Sequence, residues 1–559
     1  MHNNKNRVIV FGLDGGTFAL LQPLMDEGRM PHMKQIIERG VSGILNSTIP
    51  PVTAPAWTSF ATGKNPGKHG LYDFVVKDNN NDMVMANSRR IIGKKIWNIL
   101  SDHKKKVGII NFPISYPLEE VNGFMISGFI SPLNAKTYSY PPELFSQIGD
   151  YIINVKALKI KKGCNPTTKE IQKFVDENIR AIELRNKTFR YLIKEKEWDF
   201  IYILFMEFDK IQHAVWKYLD RNEAQYPKGE IYEYILKCYQ RIDVILGEIF
   251  EEMDDKTSLI IVSDHGFCSK KKYFFINLWL NKNGYLNRNL TQLITDKIKE
   301  ITEFKNNAIL PSKITNVFRN YGLQKIKAPS SDLFIPPSHE ILLRYINLLK
   351  TKAYCPSTSS NGIFINLKNR DRYGIVEEGK EYDRIRKEIR DKLLTLKDEE
   401  TGKNIFENIY FSEQIYHGSA LKFAPDLILS PAEGYVLLSS LMSLYSKNLV
   451  KVTTSEGTHH PEGIFIAVDK KIIKNGLRID NTNIIDIVPT ILYLMGLSIP
   501  SDMDGKVVTS IFKETFLESN PPVFSDVKDN DFEAVQDKVY SADDEKQIID
   551  ELKSLGYLG

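Results

Sequence analysis

The stretch "RVIVFGLDGG", Arg7 to Gly16, decides the architecture. Apolar residues run almost unbroken from Val8 to Leu13 and stop at a carboxylate, Asp14, followed by two glycines. A strand that is apolar on both faces has no face left for water, so it belongs inside a sheet covered by helices on both sides. The same form recurs in "KVGIINFP" (106–113), "WDFIYILFMEFD" (198–209), "SLIIVSDHG" (258–266), "PDLILS" (425–430) and "EGIFIAVD" (462–469). Between these runs, residues 171–196 and 233–253 carry apolar side chains at three- and four-residue steps, which predicts helices. Alternating strands and helices predict an α/β fold, a doubly wound and mostly parallel sheet with helices on both faces.

A chain of 559 residues exceeds one simple core and calls for two or three domains, or one large α/β domain with insertions. From about Leu286 to Tyr354 the periodicity loosens into a Lys-, Asn- and Ile-rich segment with prolines at 311, 329, 336 and 337. It reads as an inserted helical cap (286–354) between two parts of a catalytic core, 1–285 and 355–515. Residues 516–559 form an extension ending in "YSADDEKQIIDELKSLGYLG". That stretch predicts a helix with Ser541 as N-cap, acids in its first turn, Ile548, Leu552 and Leu555 on one stripe, and Gly556 as its stop. "NNND" (79–82) predicts a hairpin tip.

Composition excludes several classes. The chain has 74 basic and 70 acidic side chains, a formal charge of +4, so there is no electrostatic footprint for nucleic acid. The four cysteines, Cys164, Cys238, Cys268 and Cys355, form no CxxC pair, which argues for buried free thiols rather than disulfides or a thiolate zinc site. The sequence enters its first strand with no signal-peptide core ahead of it, and the most apolar later run, 484–497, is too short to span a bilayer and contains Asp486 and Pro489. A cytoplasmic location is the expectation. The oligomeric state has no signal.

Three strands are expected to deliver a carboxylate at their C-terminal ends: Asp14, Asp209 and Asp264. Ligands of open α/β sheets bind at that edge. A lone Asp there commonly caps a helix, and a lone His is commonly a hydrogen-bonded core or surface residue. Here they come together. "DHG" sets His265 beside Asp264, with Gly266 letting the chain turn away. "DKIQH" places His213 one helical turn after Asp209. "GTHHPEG" adds His459 and His460 ahead of a strand. Carboxylate and imidazole ligands without thiolates suit Zn²⁺, with Mn²⁺ next and Mg²⁺ less favoured. In "IPPVTAPAWTSFATG" (49–63), Thr53 reads as an N-cap with Pro55 in the first turn and Gly63 as the stop. The same geometry would present its hydroxyl to an anion in the positive field of a helix N-terminus. "GKNPGKH" fails the phosphate-loop spacing.

Taken in order, "FGLDGGTF", "PPVTAPAWTSFATGKNPGKHGLYDF", "FMEFDKIQHAVW", "IIVSDHGF", "GTHHPEGIFIA" and the terminal "LKSLGYLG" resemble the alkaline phosphatase superfamily, in its type I phosphodiesterase/nucleotide pyrophosphatase branch, over most of the chain. The resemblance implies an alkaline-phosphatase-like fold and two divalent metal ions. It implies that Asp14, Thr53, Asp264 and His265 bind one ion, and Asp209, His213 and His459 the other. His459 is preferred to His460 because the family pattern is Gly-x-His, here Gly457-Thr458-His459. Three aspartates and a threonine alkoxide then balance two divalent ions. The implied reaction is attack of Thr53 on a small-molecule phosphoester, through a phosphothreonine. The branch's phosphate-holding asparagine has no counterpart, since Asp73 and Phe74 occupy its region. No phosphate-gripping arginine matches, and Trp57 stands where a sulfatase signature has arginine. Substrate contacts are therefore open, with Trp57, Tyr72 and Phe74 as aromatic candidates. A phosphodiesterase or pyrophosphatase is the expected activity. The alternatives are a phosphomonoesterase or mutase on the same metals, then a phosphotransferase, then a scaffold that has lost catalysis, whose signature would be missing ligands.

Overall fold

The computed structural model describes residues 6–158, 165–222, 229–289, 343, 345–441, 448–452, 454, 456–526, 539–555 and 557–558. Its centre is a nine-stranded sheet. The strands are β1 (Arg7–Leu13), β2 (Val41–Asn46), β3 (Val107–Phe112), β4 (Gly123–Ser127), β5 (Ser139–Tyr140), β6 (Phe200–Phe205), β7 (Thr257–Val262), β10 (Glu462–Val468) and β11 (Leu477–Asn483). A two-stranded ribbon, β8 (Gly266–Ser269) with β9 (Gly457–His460), lies beside it. The order is β11-β2-β10-β7-β1-β6-β3-β4-β5. Pairings β1–β6, β1–β7, β3–β6, β3–β4 and β2–β11 are parallel, and β10–β7, β10–β2 and β4–β5 are antiparallel. The sheet is mostly parallel, as expected, with one reversed strand inside it and another at an edge.

Period-two alternation sends the side chains of each central strand to opposite cores. Val8 and Val10 of β1 join one core; Ile9, Phe11 and Leu13 join the other. Phe200, Tyr202 and Leu204 of β6 divide from Ile201, Ile203 and Phe205 in the same way. One face is covered by α1 (Phe18–Asp26), α2 (Pro31–Arg39), α5 (Thr168–Glu195), α6 (Glu207–Val215) and α7 (Glu230–Glu252). The other is covered by α3 (Thr53–Thr62), α4 (Ile96–Asp102), α8 (Ile487–Leu494) and α9 (Ala542–Ser554). Both faces are helical, which makes the sheet doubly wound.

The hairpin at 79–82 joins two short antiparallel strands, Val75–Lys77 and Met83–Met85. Ser541 caps α9: its Oγ accepts from the Asp544 N–H at 3.2 Å while the Asp544 carboxylate accepts from the Ser541 N–H at 3.0 Å. Ile548 and Leu552 are buried in the sheet-covering core, so α9 is part of the body of the fold. Gly556 lies outside the described residues, as does most of the expected 286–354 cap and Cys164. Cys238, Cys268 and Cys355 are buried free thiols. No helix among the described residues is long and apolar enough to cross a membrane.

Three expectations need correcting. "PDLILS" is not a strand of the parallel sheet: Leu427–Pro431 pairs antiparallel with Gly362–Ile365 and Phe406–Phe411 in a separate sheet. A continuous apolar run reports burial on both faces, not the direction of its neighbours. "WDFIYILFMEFD" leaves the strand at Phe205, and Asp209 stands in the first turn of α6. Gly266 has no positive φ; it is needed because a Cβ there would meet the Glu462 carbonyl oxygen at 2.0 Å.

Candidate active site

Strands β6, β1 and β7 run in parallel register, Leu13 opposite Phe205 and Gly12 opposite Val262, so their C-terminal ends are level. The residues just past each strand are tied to one another through the backbone. The Asp14 N–H donates to the Phe205 carbonyl at 2.9 Å, and the Asp209 N–H donates to the Asp14 carbonyl at 3.1 Å. Gly15 takes φ 72°, where its N–H reaches Asp264 Oδ1 at 3.3 Å; a side chain there would press on the Asp209 backbone. These bonds converge three carboxylates drawn from three crossovers.

Two groups of side chains with ligating atoms result. In the first, His265 Nε2 lies 3.3 Å from Asp264 Oδ2 and 3.6 Å from Asp14 Oδ1. In the second, Asp209 Oδ1 lies 3.2 Å from His213 Nε2 and 3.3 Å from His459 Nε2. The rings of His265 and His459 stack 3.7 Å apart and join the groups. His265 Nδ1 faces the Gly266 carbonyl at 3.1 Å and His459 Nδ1 faces that of Pro51 at 2.9 Å. A carbonyl only accepts, so each Nδ1 carries the proton and each Nε2 turns a lone pair inward. Backbone acceptors of this kind orient imidazoles for a cation. Alternation along β9 explains why His459 enters and His460 does not: the His460 Nδ1 accepts from the Glu462 N–H outside the cluster.

The site is under-satisfied. Asp14 Oδ1, Asp209 Oδ1 and Asp264 Oδ2 are buried and have no hydrogen-bond partner. His213 Nε2 faces His459 Nε2 at 2.9 Å. Burial, then the charges of Asp264 and Asp209, push the Asp14 carboxyl well above the usual carboxylate range. Burial and the Asp209 charge do the same to Asp264. Burial lowers His265 and His459. Orphaned carboxylate oxygens among inward imidazole lone pairs form a donor set that fits divalent cations, for which Asp14–Asp264–His265 and Asp209–His265–His459 are compact candidate groups.

Thr53 borders both groups. It is the first residue of α3, not its cap: Val52 holds the N-cap position and no side chain caps the helix. The hydroxyl is consequently free of a capping bond. Its Oγ1 lies 3.4 Å from His265 Nε2 and 3.3 Å from the Tyr557 hydroxyl. One turn on, the Trp57 Nε1–H donates to Asp14 Oδ2 at 3.1 Å and ties α3 to β1. Gly63 closes α3 in the left-handed region, φ 65°. A cleft of about 800 Å³ opens beside these residues, bordered by Pro51, His213, His459, Tyr557, Lys270 and Lys403.

Two residues of the site were not legible as such in the sequence. Trp57 could have been found, since its i+4 spacing from Thr53 puts it on the same helical face. Tyr557 stands in the terminal "LKSLGYLG", but nothing in that stretch says that it reaches Thr53, 504 positions away. The aromatic candidates for substrate are packing residues instead. Trp57 meets Phe60 and Tyr202, Phe74 meets Phe129 and Tyr557, and the Tyr72 hydroxyl donates to the Ala420 carbonyl.

Asp73 is buried and accepts from the hydroxyls of Ser357 and Ser359. Burial outweighs these donors and raises its carboxyl from 3.8 to about 6. A raised acid is favoured when protonated, so Asp73 supports the fold fully below about pH 4 and loses that support as pH rises through 6. The difference in unfolding free energy between Asp73→Asn and wild type should therefore grow in favour of Asn across that window, by up to about 3 kcal/mol. Denaturant titrations at pH 4 and pH 7.5 measure it, and an unchanging difference refutes it.

Comparison with known proteins identifies a family. The model of the family described as type I phosphodiesterase / nucleotide pyrophosphatase matches residues 8–462. No curated protein matches significantly. Among solved structures, murine ectonucleotide pyrophosphatase / phosphodiesterase 5 is 13% identical, with 91% of this chain and 100% of that one covered at a TM-score of 0.49. Phosphonoacetate hydrolase from Sinorhizobium meliloti, in complex with phosphonoacetate, is 16% identical over 88% of this chain and 95% of that one, at a TM-score of 0.50.

Proposed function

The chain belongs to the type I phosphodiesterase/nucleotide pyrophosphatase family of phosphoester hydrolases, and from that premise we propose that it cleaves small-molecule phosphodiesters or pyrophosphates with Thr53 as nucleophile beside two divalent cations. The observation that carries this reading is the set of orphaned oxygens on Asp14, Asp209 and Asp264, buried around one hydroxyl that caps nothing.

Asp14, Asp264, His265 and Thr53 would hold one ion, and Asp209, His213 and His459 the other. Zn²⁺ is the expected metal, with Mn²⁺ as second choice. When bound, such ions polarise phosphoryl oxygens and lower the pKa of a bound hydroxyl. The protein does the rest. Trp57 and the Asp14 carboxylate fix the first turn of α3, so Thr53 Oγ is aimed before substrate arrives. The N-terminus of α3 favours the negative phosphoryl group at the same place. The Thr53 hydroxyl gives up its proton to solvent as the Oγ–P bond forms, the P–O bond to the leaving group breaks in line, and the leaving oxygen takes up a proton from solvent. Hydrolysis of the phosphothreonine then frees Thr53 for another turnover. Substrate would approach through the cleft bordered by His213, His459 and Tyr557.

Turnover of bis-p-nitrophenyl and mono-p-nitrophenyl phosphate, before and after chelation, tests this. Chelation should abolish hydrolysis, and Zn²⁺ or Mn²⁺ should restore it with the diester preferred. Preference for the monoester would move the assignment to a phosphomonoesterase. No hydrolysis with either metal would refute it.

A further inference from the structure

The Tyr557 hydroxyl lies 3.3 Å from Thr53 Oγ1, contributed by the segment past the end of α9. Among the described residues, the side-chain hydrogen-bonding neighbours of Thr53 Oγ1 are this phenol and His265 Nε2. His265 Nε2 also faces Asp264 and Asp14, so it belongs with the candidate cation ligands. That leaves the Tyr557 phenol as the neutral hydroxyl beside the reacting oxygen, with a proton it can donate there.

The phenol is held as firmly as the candidate ligands are. Tyr557 is buried, with 4% of its surface exposed. Phe74 packs edge-on against the ring at 4.8 Å, and the rings of His459 and His213 lie 5.6 and 6.0 Å away. The Ser359 N–H donates to the Tyr557 carbonyl at 3.0 Å, and the Tyr557 N–H donates to the Leu552 carbonyl at 2.9 Å. The Ser359 hydroxyl in turn donates to Asp73. The ring is thus clamped between α9 and the loop at 357–360, and it borders the cleft through which substrate would enter. Donors held rigid in this way stabilise charge that develops during a reaction without reorganising.

We propose that Tyr557 is a catalytic residue that donates a hydrogen bond to a non-bridging oxygen of the phosphoryl group while Thr53 attacks. This rests on the reading of Thr53 as nucleophile. A phosphorus bonding to Thr53 Oγ carries its non-bridging oxygens next to that atom, within reach of the same phenol. The phenol keeps its proton throughout. During attack it donates that proton's hydrogen bond to the phosphoryl oxygen. The role does not depend on which diester is bound, because every phosphoryl substrate presents such an oxygen.

Tyr557→Phe tests this in the metal-reconstituted protein, with bis-p-nitrophenyl phosphate as probe. The variant keeps the ring that packs on Phe74 and loses only the hydroxyl. The expected result is a fall in kcat of about 10- to 100-fold with KM, metal content and melting temperature unchanged. A kcat within twofold of wild type overturns the proposal, and so does a rise in kcat, which would mean that the hydroxyl hinders the reaction. Thr53→Ala is measured alongside. A dead Thr53→Ala with a fully active Tyr557→Phe refutes the role of Tyr557 alone. An active Thr53→Ala refutes the nucleophile assignment on which it rests.

Discussion

Thr53→Ala should lose diester hydrolysis by on the order of 10³-fold or more, while its melting temperature and metal content stay close to wild type. The two halves of this result come from one structural fact. Thr53 is fully buried, yet its hydroxyl caps nothing: Val52 holds the N-cap position and no side chain bonds the first turn. Removing an N-cap hydroxyl typically costs about 1 kcal/mol, and that loss is not expected here. α3 is held instead by the Trp57–Asp14 hydrogen bond and by Trp57 and Phe60 in the core, none of which the substitution touches. The other candidate ligands are also unaltered. Kinetics on bis-p-nitrophenyl phosphate, metal analysis and thermal melting decide the matter together. Retained turnover would remove Thr53 from the chemistry. Lost turnover with a collapsed melting temperature would make it a structural residue.

Asp264→Asn should act in opposite directions with and without metal. With metal, hydrolysis should fall by on the order of 10³-fold, and the rise in melting temperature on adding Zn²⁺ should shrink or vanish. Without metal, the variant should be more stable than wild type by on the order of 1–3 kcal/mol. In the wild type, Asp264 Oδ1 accepts from the Gly15 N–H, while Oδ2 is orphaned 3.3 Å from the inward lone pair of His265 Nε2. An asparagine can keep the first bond through its oxygen and turn its NH₂ toward that lone pair. It also removes one of three buried, crowded carboxylates, of which burial and then neighbouring charge raise Asp14 and Asp264. Melting curves of both proteins in chelator and in Zn²⁺ give all four values. A variant less stable than wild type in chelator would mean that Asp264 is a structural hydrogen-bonding residue rather than a ligand poised for a cation.

Much of the fold was legible because the signal is local. The apolar run from Val8 to Leu13 needs burial on both faces wherever it sits, and the helices at 168–195 and 230–252 carry their own periodicity. Strand direction is not local. "PDLILS" and "EGIFIAVD" read like β1, but one lies in a separate antiparallel sheet and the other runs backward between β2 and β7. The candidate ligands were legible because each sits at a recognisable chain feature: Asp14 and Asp264 just past strands, His213 one turn after Asp209, and His459 in a Gly-Thr-His step. Two local details there were misplaced: Asp209, expected at a strand end, stands in the first turn of α6, and Thr53, a residue type favoured at N-caps, is the first residue of its helix.

By itself, the sequence determined where the main strands and helices lie, which carboxylates and imidazoles were available, and which threonine opens a helix, since propensity, period and side-chain chemistry belong to short stretches of chain. Only the tertiary structure decided that the ends of β6, β1 and β7 are level, that His459 rather than His460 turns inward, and that Tyr557 reaches Thr53 across 504 positions. Those contacts are made between segments that share no local pattern. They exist because burying two cores on one sheet brings the segments together.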